Sequence, residues 1–198
     1  MTDVLPPTPE GIARAAALLR DGGLVAFPTD TVYGVACAGD RPDRLAALFA
    51  LKSRPPDKLI PLLVASLSQA VDAGWQADDR ARALATAFWP GALTLVLPGA
   101  DGATQAFRAP DHPVALALIG AAGPLLATSA NVSGEPDTLD ADDVLIAFAT
   151  QADALDAVID GGRVPGGMPS TVVDLSVSPA RILRDGPISR EMVQPHAG

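Results

Sequence analysis

Leu24-Val25-Ala26-Phe27-Pro28-Thr29-Asp30-Thr31 is the stretch on which the fold turns. Four apolar residues closed by a proline suit a short strand buried on both faces. A polar run follows at the C-terminal end of that strand, which in open α/β sheets is the favoured place for a ligand. Upstream, Thr8-Pro9-Glu10 offers an N-cap, a proline at the first helical position and an acid in the first turn. Ile12, Ala15, Ala16 and Leu19 then share one face until Asp21-Gly22-Gly23 stops the helix. Downstream, 32–38 predicts a second strand, and Asp40-Arg41-Pro42-Asp43 opens a helix whose apolar face is Leu45, Leu48, Phe49 and Leu51. Further strands are expected over 61–65, 93–97, 104–108, 125–128 and 157–160, with a hairpin over 170–175 and 180–183. Helices are expected over 66–73, 77–88, 112–121 and 140–149, with a short one at the end. Strands alternating with helices in this way predict an α/β fold.

With 198 residues, 48% of them hydrophobic, the chain has enough material for one sizeable core, so a single domain over 1–198 is expected. A net charge of -9 argues against broad adhesion to nucleic acid or to an anionic membrane, since both draw on a large positive field. The single cysteine, Cys37, rules out an intrachain disulfide and reads as a small core residue. The N-terminus has no basic segment followed by an apolar run, and no uncharged apolar segment approaches membrane-spanning length. A cytoplasmic, soluble protein is the expectation.

Against this acidic background, Leu51-Lys52-Ser53-Arg54-Pro55-Pro56-Asp57-Lys58-Leu59-Ile60-Pro61-Leu62 gathers three cations, including both lysines of the chain. Pro55-Pro56 cannot continue the preceding helix, so Lys52 and Arg54 are expected on an exposed helix end, where ammonium and guanidinium groups suit phosphate oxygens. Polar clusters also stand just past apolar strands at Thr29-Asp30-Thr31, 104–108, 129–133, Ser170-Thr171 and Arg184. Two histidines and one cysteine are too few for a zinc site or a Cys–His pair, and His112 reads as structural. Neither a G-x-S-x-G elbow nor a P-loop is present. The glycine-rich segment 161–169 reads as a flexible lid. Such a set binds and orients anions rather than forming a covalent intermediate, as phosphoryl or nucleotidyl transfer requires.

Phe27-Pro28-Thr29-Asp30-Thr31-Val32-Tyr33-Gly34, Lys52-x-Arg54, Arg108-Ala109-Pro110-Asp111-His112-Pro113, Ser129-x-Asn131 with Ser133-Gly134, Ser170-Thr171-Val172-Val173-Asp174 and Leu183-Arg184-Asp185-Gly186 together resemble the YrdC/Sua5 family. The resemblance implies a twisted, mixed open sheet with flanking helices and a concave ligand-binding face. It also implies L-threonylcarbamoyladenylate synthase activity serving tRNA t6A37 modification, in the short, single-domain form. By analogy, L-threonine and bicarbonate form a carbamate whose carboxylate attacks the α-phosphate of ATP, releasing pyrophosphate. Carried over by position, Thr31, Arg108, Ala127 and Ser170 would surround the threonine, and Arg54, Lys58, Thr104, Ser129 and Arg184 the nucleotide. Lys52 and Asn131 would complete a catalytic set with Arg54 and Ser129. No carboxylate cluster suggests a resident metal, so Mg²⁺ would arrive on the ATP phosphates. Asp137 stands where many members carry a hydroxyl residue and is left out of the expected site. The implied partners are the small substrates and a downstream tRNA threonylcarbamoyl transferase complex, with weak or no direct nucleic acid binding. Two alternatives remain at this point: an RNA-binding module using the same cations, and a paralogue of the same fold without synthase activity.

Overall fold

The computed structural model describes residues 1–53 and 60–196. Ten strands form one mixed sheet: β1 (Asp3–Leu5), β2 (Val25–Phe27), β3 (Gly34–Ala38), β4 (Leu62–Leu63), β5 (Leu93–Pro98), β6 (Thr104–Arg108), β7 (Leu125–Ser129), β8 (Ala157–Ile159), β9 (Thr171–Asp174) and β10 (Arg181–Arg184). Their spatial order is β1-β8-β2-β3-β7-β4-β6-β5-β9-β10. The helices are α1 (Pro9–Arg20), α2 (Leu45–Leu51), α3 (Leu67–Asp72), α4 (Asp79–Phe88), α5 (Pro113–Ala122), α6 (Ala141–Ala147) and α7 (Arg190–Val193). Mixed pairing and flanking helices agree with the expected fold class.

The local signals work as read. The Thr8 side chain accepts from Gly11 N, Asp78 caps α4 by accepting from Ala81 N, and Asp140 caps α6 by accepting from Asp143 N. The hairpin over the last two strands is antiparallel, with an irregularity between Ile182 and Arg184. Three apolar clusters cover the sheet. One packs α1 and α5 against β2, β3 and β7, a second lies under α2 and α6, and a third joins α3, α4 and the C-terminal turn to β5, β6 and β9. Cys37 belongs to the second cluster, and burial pushes its thiol up to about 11, so it behaves as a core residue.

Elsewhere tertiary hydrogen bonds move the boundaries. The strand expected from Val32 begins only at Gly34, because the Thr29 hydroxyl donates to Val32 O (2.6 Å) and Tyr33 N donates to Thr138 O (2.9 Å). The strand expected over 61–65 shrinks to Leu62–Leu63. Ala65 N is taken by the Gln69 side chain (2.7 Å) instead of a neighbouring strand. The helix expected over 140–149 ends at Ala147 and is followed by a 3-10 turn over Ala149–Gln151. Strand β1 is an addition to the sequence reading. Three residues are too few for a periodic signal, and it forms because β8 offers a parallel edge.

Candidate functional site

A cavity of about 380 Å³ is lined mostly by small or polar residues of the strands from β3 to β10 in the sheet. Strand alternation explains the lining. Leu93, Leu95 and Leu97 of β5 sit in the core, while Thr94 and Val96 turn to the cavity. Phe107 of β6 is buried below, while Ala106 and Arg108 turn up. Ala127 and Ser129 of β7, Val172 after Ser170, and Leu183 and Arg184 of β10 close the wall. Thr29, Thr31 and Tyr33 enter from the polar run after β2, and Gly167 and Pro169 from the glycine-rich segment.

Arg108 is nine-tenths buried in this wall and its fork is already partly engaged. Nη2 donates to both Asp30 carboxylate oxygens at 2.7 Å, Nε to Gly91 O at 3.0 Å, and Nη1 to the Thr31 hydroxyl at 3.4 Å. Asp30 therefore orients Arg108 and balances its charge. Thr31 is held in turn, with its hydroxyl 3.2 Å from that of Thr29 and its amide donating to Thr29 Oγ1. Arg184, also in the lining, donates from Nε to Ser170 O (2.9 Å) and from Nη2 to Ser170 Oγ (3.0 Å). Burial lowers the Arg184 pKa and the positive charge of Arg108 lowers it further. Two guanidinium groups that line one cavity and repel each other favour an anion in it. Gly186 permits the close approach that sets Arg184 there, since a Cβ on it would stand 2.5 Å from Pro169 O.

Lys52 is not on an exposed helix end. It is the C-cap residue of α2, only 2% exposed, and its ammonium donates to Ser129 O, to Asn131 O (2.6 Å) and to Asn131 Oδ1 (3.1 Å). Asn131 Oδ1 also accepts from the Ser129 hydroxyl (2.7 Å), and Asn131 Nδ2 donates to Glu135 O (2.6 Å). The lysine thus ties the end of α2 to the loop after β7. The expectation of an exposed helix end is corrected by this geometry, because a helix end can turn inward when a loop supplies acceptors. Arg54 and Lys58 lie outside the described residues.

Of the other residues singled out from sequence, Thr31, Ala127, Ser129, Ser170, Arg108 and Arg184 line the cavity together. Asn131 stands behind Ser129 as its partner. Thr104 does not join the lining: it is exposed at the start of β6, and by alternation shares the face of Ala106 and Arg108. Asp137, set aside in the sequence reading, is on the wall. Thr94 was missed, because a threonine inside an apolar strand carries no local signal of facing a ligand. Among the described residues no three His, Cys, Asp or Glu side chains are grouped to hold a metal ion, and no helix is long and apolar enough to cross a membrane.

The family model described as "Telomere recombination", for Sua5, YciO and YrdC proteins, matches residues 17–186. The chain belongs to the Sua5/YciO/YrdC family. It is 39% identical to the threonylcarbamoyl-AMP synthase of Bacillus subtilis over 98% of its own length, and 37% identical to that of Chromohalobacter salexigens over 85%. It spans 58% of the former relative and 94% of the latter. The crystal structure of Pyrococcus abyssi Sua5 complexed with L-threonine superposes with a TM-score of 0.90 at 34% identity, over 100% of this chain and 61% of that one.

The segment 161–169 reads differently once its contacts are seen. Its first part is tied down: the Tyr33 hydroxyl donates to Gly162 O (2.8 Å) and accepts from Gly161 N (3.1 Å), Arg163 pairs with Asp140 at 2.6 Å, and Val164 N donates to Leu139 O. Gly166 and Gly167 then adopt positive φ, which only glycine tolerates easily. Replacing Tyr33 by phenylalanine is expected to lower stability by about 1–3 kcal/mol, since it leaves Gly161 N and Gly162 O without this partner. Urea unfolding checks this. Burial raises the Tyr33 pKa to about 12, so its contribution is complete below the unfolded value near 10 and is lost as pH rises through 12. The difference between wild type and Tyr33→Phe should therefore shrink across that alkaline window.

Proposed function

We propose that this protein is an L-threonylcarbamoyl-AMP synthase, a nucleotidyltransferase that joins L-threonine, bicarbonate or CO2, and ATP. The observation that carries this reading is the cavity itself. It is sized for a small ligand, is lined by Arg108 and Arg184 and by the Thr31 and Ser170 hydroxyls that they bond, and sits in a chain superposable on a threonine-bound relative. In this reading Arg108, oriented by Asp30, holds the amino acid carboxylate, and Thr31 and Ser170 bond its polar groups. Ala127 and its apolar neighbours accommodate the side-chain methyl.

The threonine nitrogen bonds to the carbon of CO2, or of bicarbonate with loss of water, and gives up a proton to form the carbamate. A carbamate oxygen then attacks the α-phosphorus of ATP. The bond to the bridging oxygen breaks and pyrophosphate leaves with its electron pair. In this reading Arg184 and Ser129, which line the cavity, serve the nucleotide where negative charge develops, and Arg54 and Lys58 serve its phosphates, all four assigned by family position. Thr104, farther out on the same face of β6, would meet the part of the nucleotide that extends out of the cavity. Magnesium is part of the MgATP substrate, because the described carboxylates near the cavity form no cluster for a resident ion. The product would pass to a tRNA-modifying transferase. The RNA-binding alternative loses support from the burial of Lys52 and the pairing of Arg108 with Asp30.

Pyrophosphate release from ATP is expected to require both L-threonine and bicarbonate. Serine should be poorer by about 1–3 kcal/mol, the value of one missing methyl in an apolar pocket. Equal release without threonine would reject the synthase reading, and tight salt-sensitive RNA binding without turnover would favour the alternative.

A further inference from the structure

The hydroxyls of Thr94 and Ser170 are 2.8 Å apart, both residues are buried, at 4% and 3% exposed, and both line the cavity. Their bonding can be counted. Arg184 Nη2 can only donate, so Ser170 Oγ accepts from it. One hydroxyl hydrogen bridges Ser170 and Thr94, in either direction. The pair owns two hydroxyl hydrogens, so one is left over, and no other described residue accepts it. Whichever way the bridge points, the pair also keeps two acceptor lone pairs. A buried hydroxyl hydrogen without an acceptor is costly, and this one sits on a cavity wall.

The sheet register places this spare group relative to Arg108. Strands β5 and β6 pair antiparallel with Leu95 opposite Phe107 and Val96 opposite Ala106, and Thr94 and Arg108, the next residues of the two strands, both line the cavity. Cross-strand neighbours on one face stand about 5 Å apart at Cβ. The surrounding wall is apolar and small: Val96, Ala106, Ala127 and Val172. An amino acid whose carboxylate is held by Arg108 therefore projects its side chain toward a spare donor and acceptor framed by apolar groups. A β-hydroxyl is both acceptor and donor, and it matches that pair.

We propose that Thr94 is a specificity-determining residue: with Ser170 it forms a two-hydroxyl receptor for the side-chain hydroxyl of the amino acid substrate. This inference rests on the functional reading above. It adds that selection for a hydroxylated side chain resides in Thr94 of β5 with Ser170 ahead of β9, whereas the carboxylate is held from β6. Arg184 takes part at one remove, by fixing the Ser170 hydroxyl from the opposite side.

The test is calorimetric titration of the full chain with L-threonine and with L-2-aminobutyrate, which keeps the carbon skeleton and lacks the hydroxyl. Wild type should bind threonine about ten- to a hundredfold more tightly, since a site built to bond a hydroxyl leaves its own groups unpaired when that hydroxyl is missing. Thr94→Val, similar in shape but without the hydroxyl, should reduce this ratio to about threefold or less while binding 2-aminobutyrate as well as wild type does. Thr94→Ser should keep the ratio. A purely structural role for Thr94 would weaken both ligands together and leave the ratio unchanged, and that result overturns the proposal. If wild type binds threonine selectively but Thr94→Val is equally selective, this inference alone falls. Binding of neither amino acid by wild type would overturn the functional reading, and this inference with it.

Discussion

Lys52→Met is expected to lower stability by about 3–5 kcal/mol and turnover by at least about a hundredfold, because it removes a buried ammonium from three oxygens that accept from it. Those acceptors, Ser129 O, Asn131 O and Asn131 Oδ1, belong to the end of β7 and the loop after it, and Ser129 lines the cavity. An unsatisfied buried acceptor costs about 1–3 kcal/mol, and partial relaxation of the loop sets the total below the simple sum. The loop would then re-seat, and the loss of Ser129 geometry would reach the chemistry. Lys52→Arg should restore little, since a 2%-exposed site shaped around a compact ammonium has no room for a planar fork. Urea unfolding and pyrophosphate release on the same samples decide the matter. Stability within 1 kcal/mol of wild type alongside lost turnover would mean that the ammonium acts on phosphate directly, as the exposed placement read from sequence implied.

Arg108→Ala is expected to weaken threonine binding by about ten- to a hundredfold while changing ATP binding, measured without threonine, by less than about threefold. The reverse experiment should not be symmetrical. Arg184 donates twice to Ser170, so Arg184→Ala should weaken ATP and, by releasing the Ser170 hydroxyl, threonine as well. A clean exchange of effects between the two arginines was the simpler expectation from sequence, and these contacts argue against it. Removing Arg108 alone also strands Asp30, 15% exposed at its side chain, without its partner. The Asp30→Ala/Arg108→Ala double variant separates the two effects. If the threonine deficit persists when both partners are absent, it belongs to lost ligand contacts rather than to an uncompensated carboxylate. Unchanged threonine affinity in Arg108→Ala would remove the carboxylate role from Arg108.

The elements legible in the sequence were those with local causes. The Thr8-Pro9-Glu10 start and the Asp21-Gly22-Gly23 stop bound α1 through capping and backbone preference, which act within one turn. The apolar runs of β2, β5, β7 and β9 showed as strands because none of them is an edge strand and most of their residues are buried. Motifs spread along most of the chain also marked its family, and with it the residues that meet at the cavity. Tertiary structure decided what depends on partners distant in sequence. Strand β1 exists only because β8 has an edge to pair, and β4 is kept short by the Gln69 side chain, which captures the amide of Ala65 two residues beyond it. The direction in which Lys52 points was set by carbonyl groups some eighty positions away, and the engagement of Arg108 by a carboxylate equally remote. Thr94 faces the cavity because strand alternation and the β5–β6 register turn it there, with Arg108. Capping and periodicity are short-range energies written in neighbouring residues. The orientation of a charge or hydroxyl at a site is instead fixed by whichever groups the fold brings within about 3 Å of it.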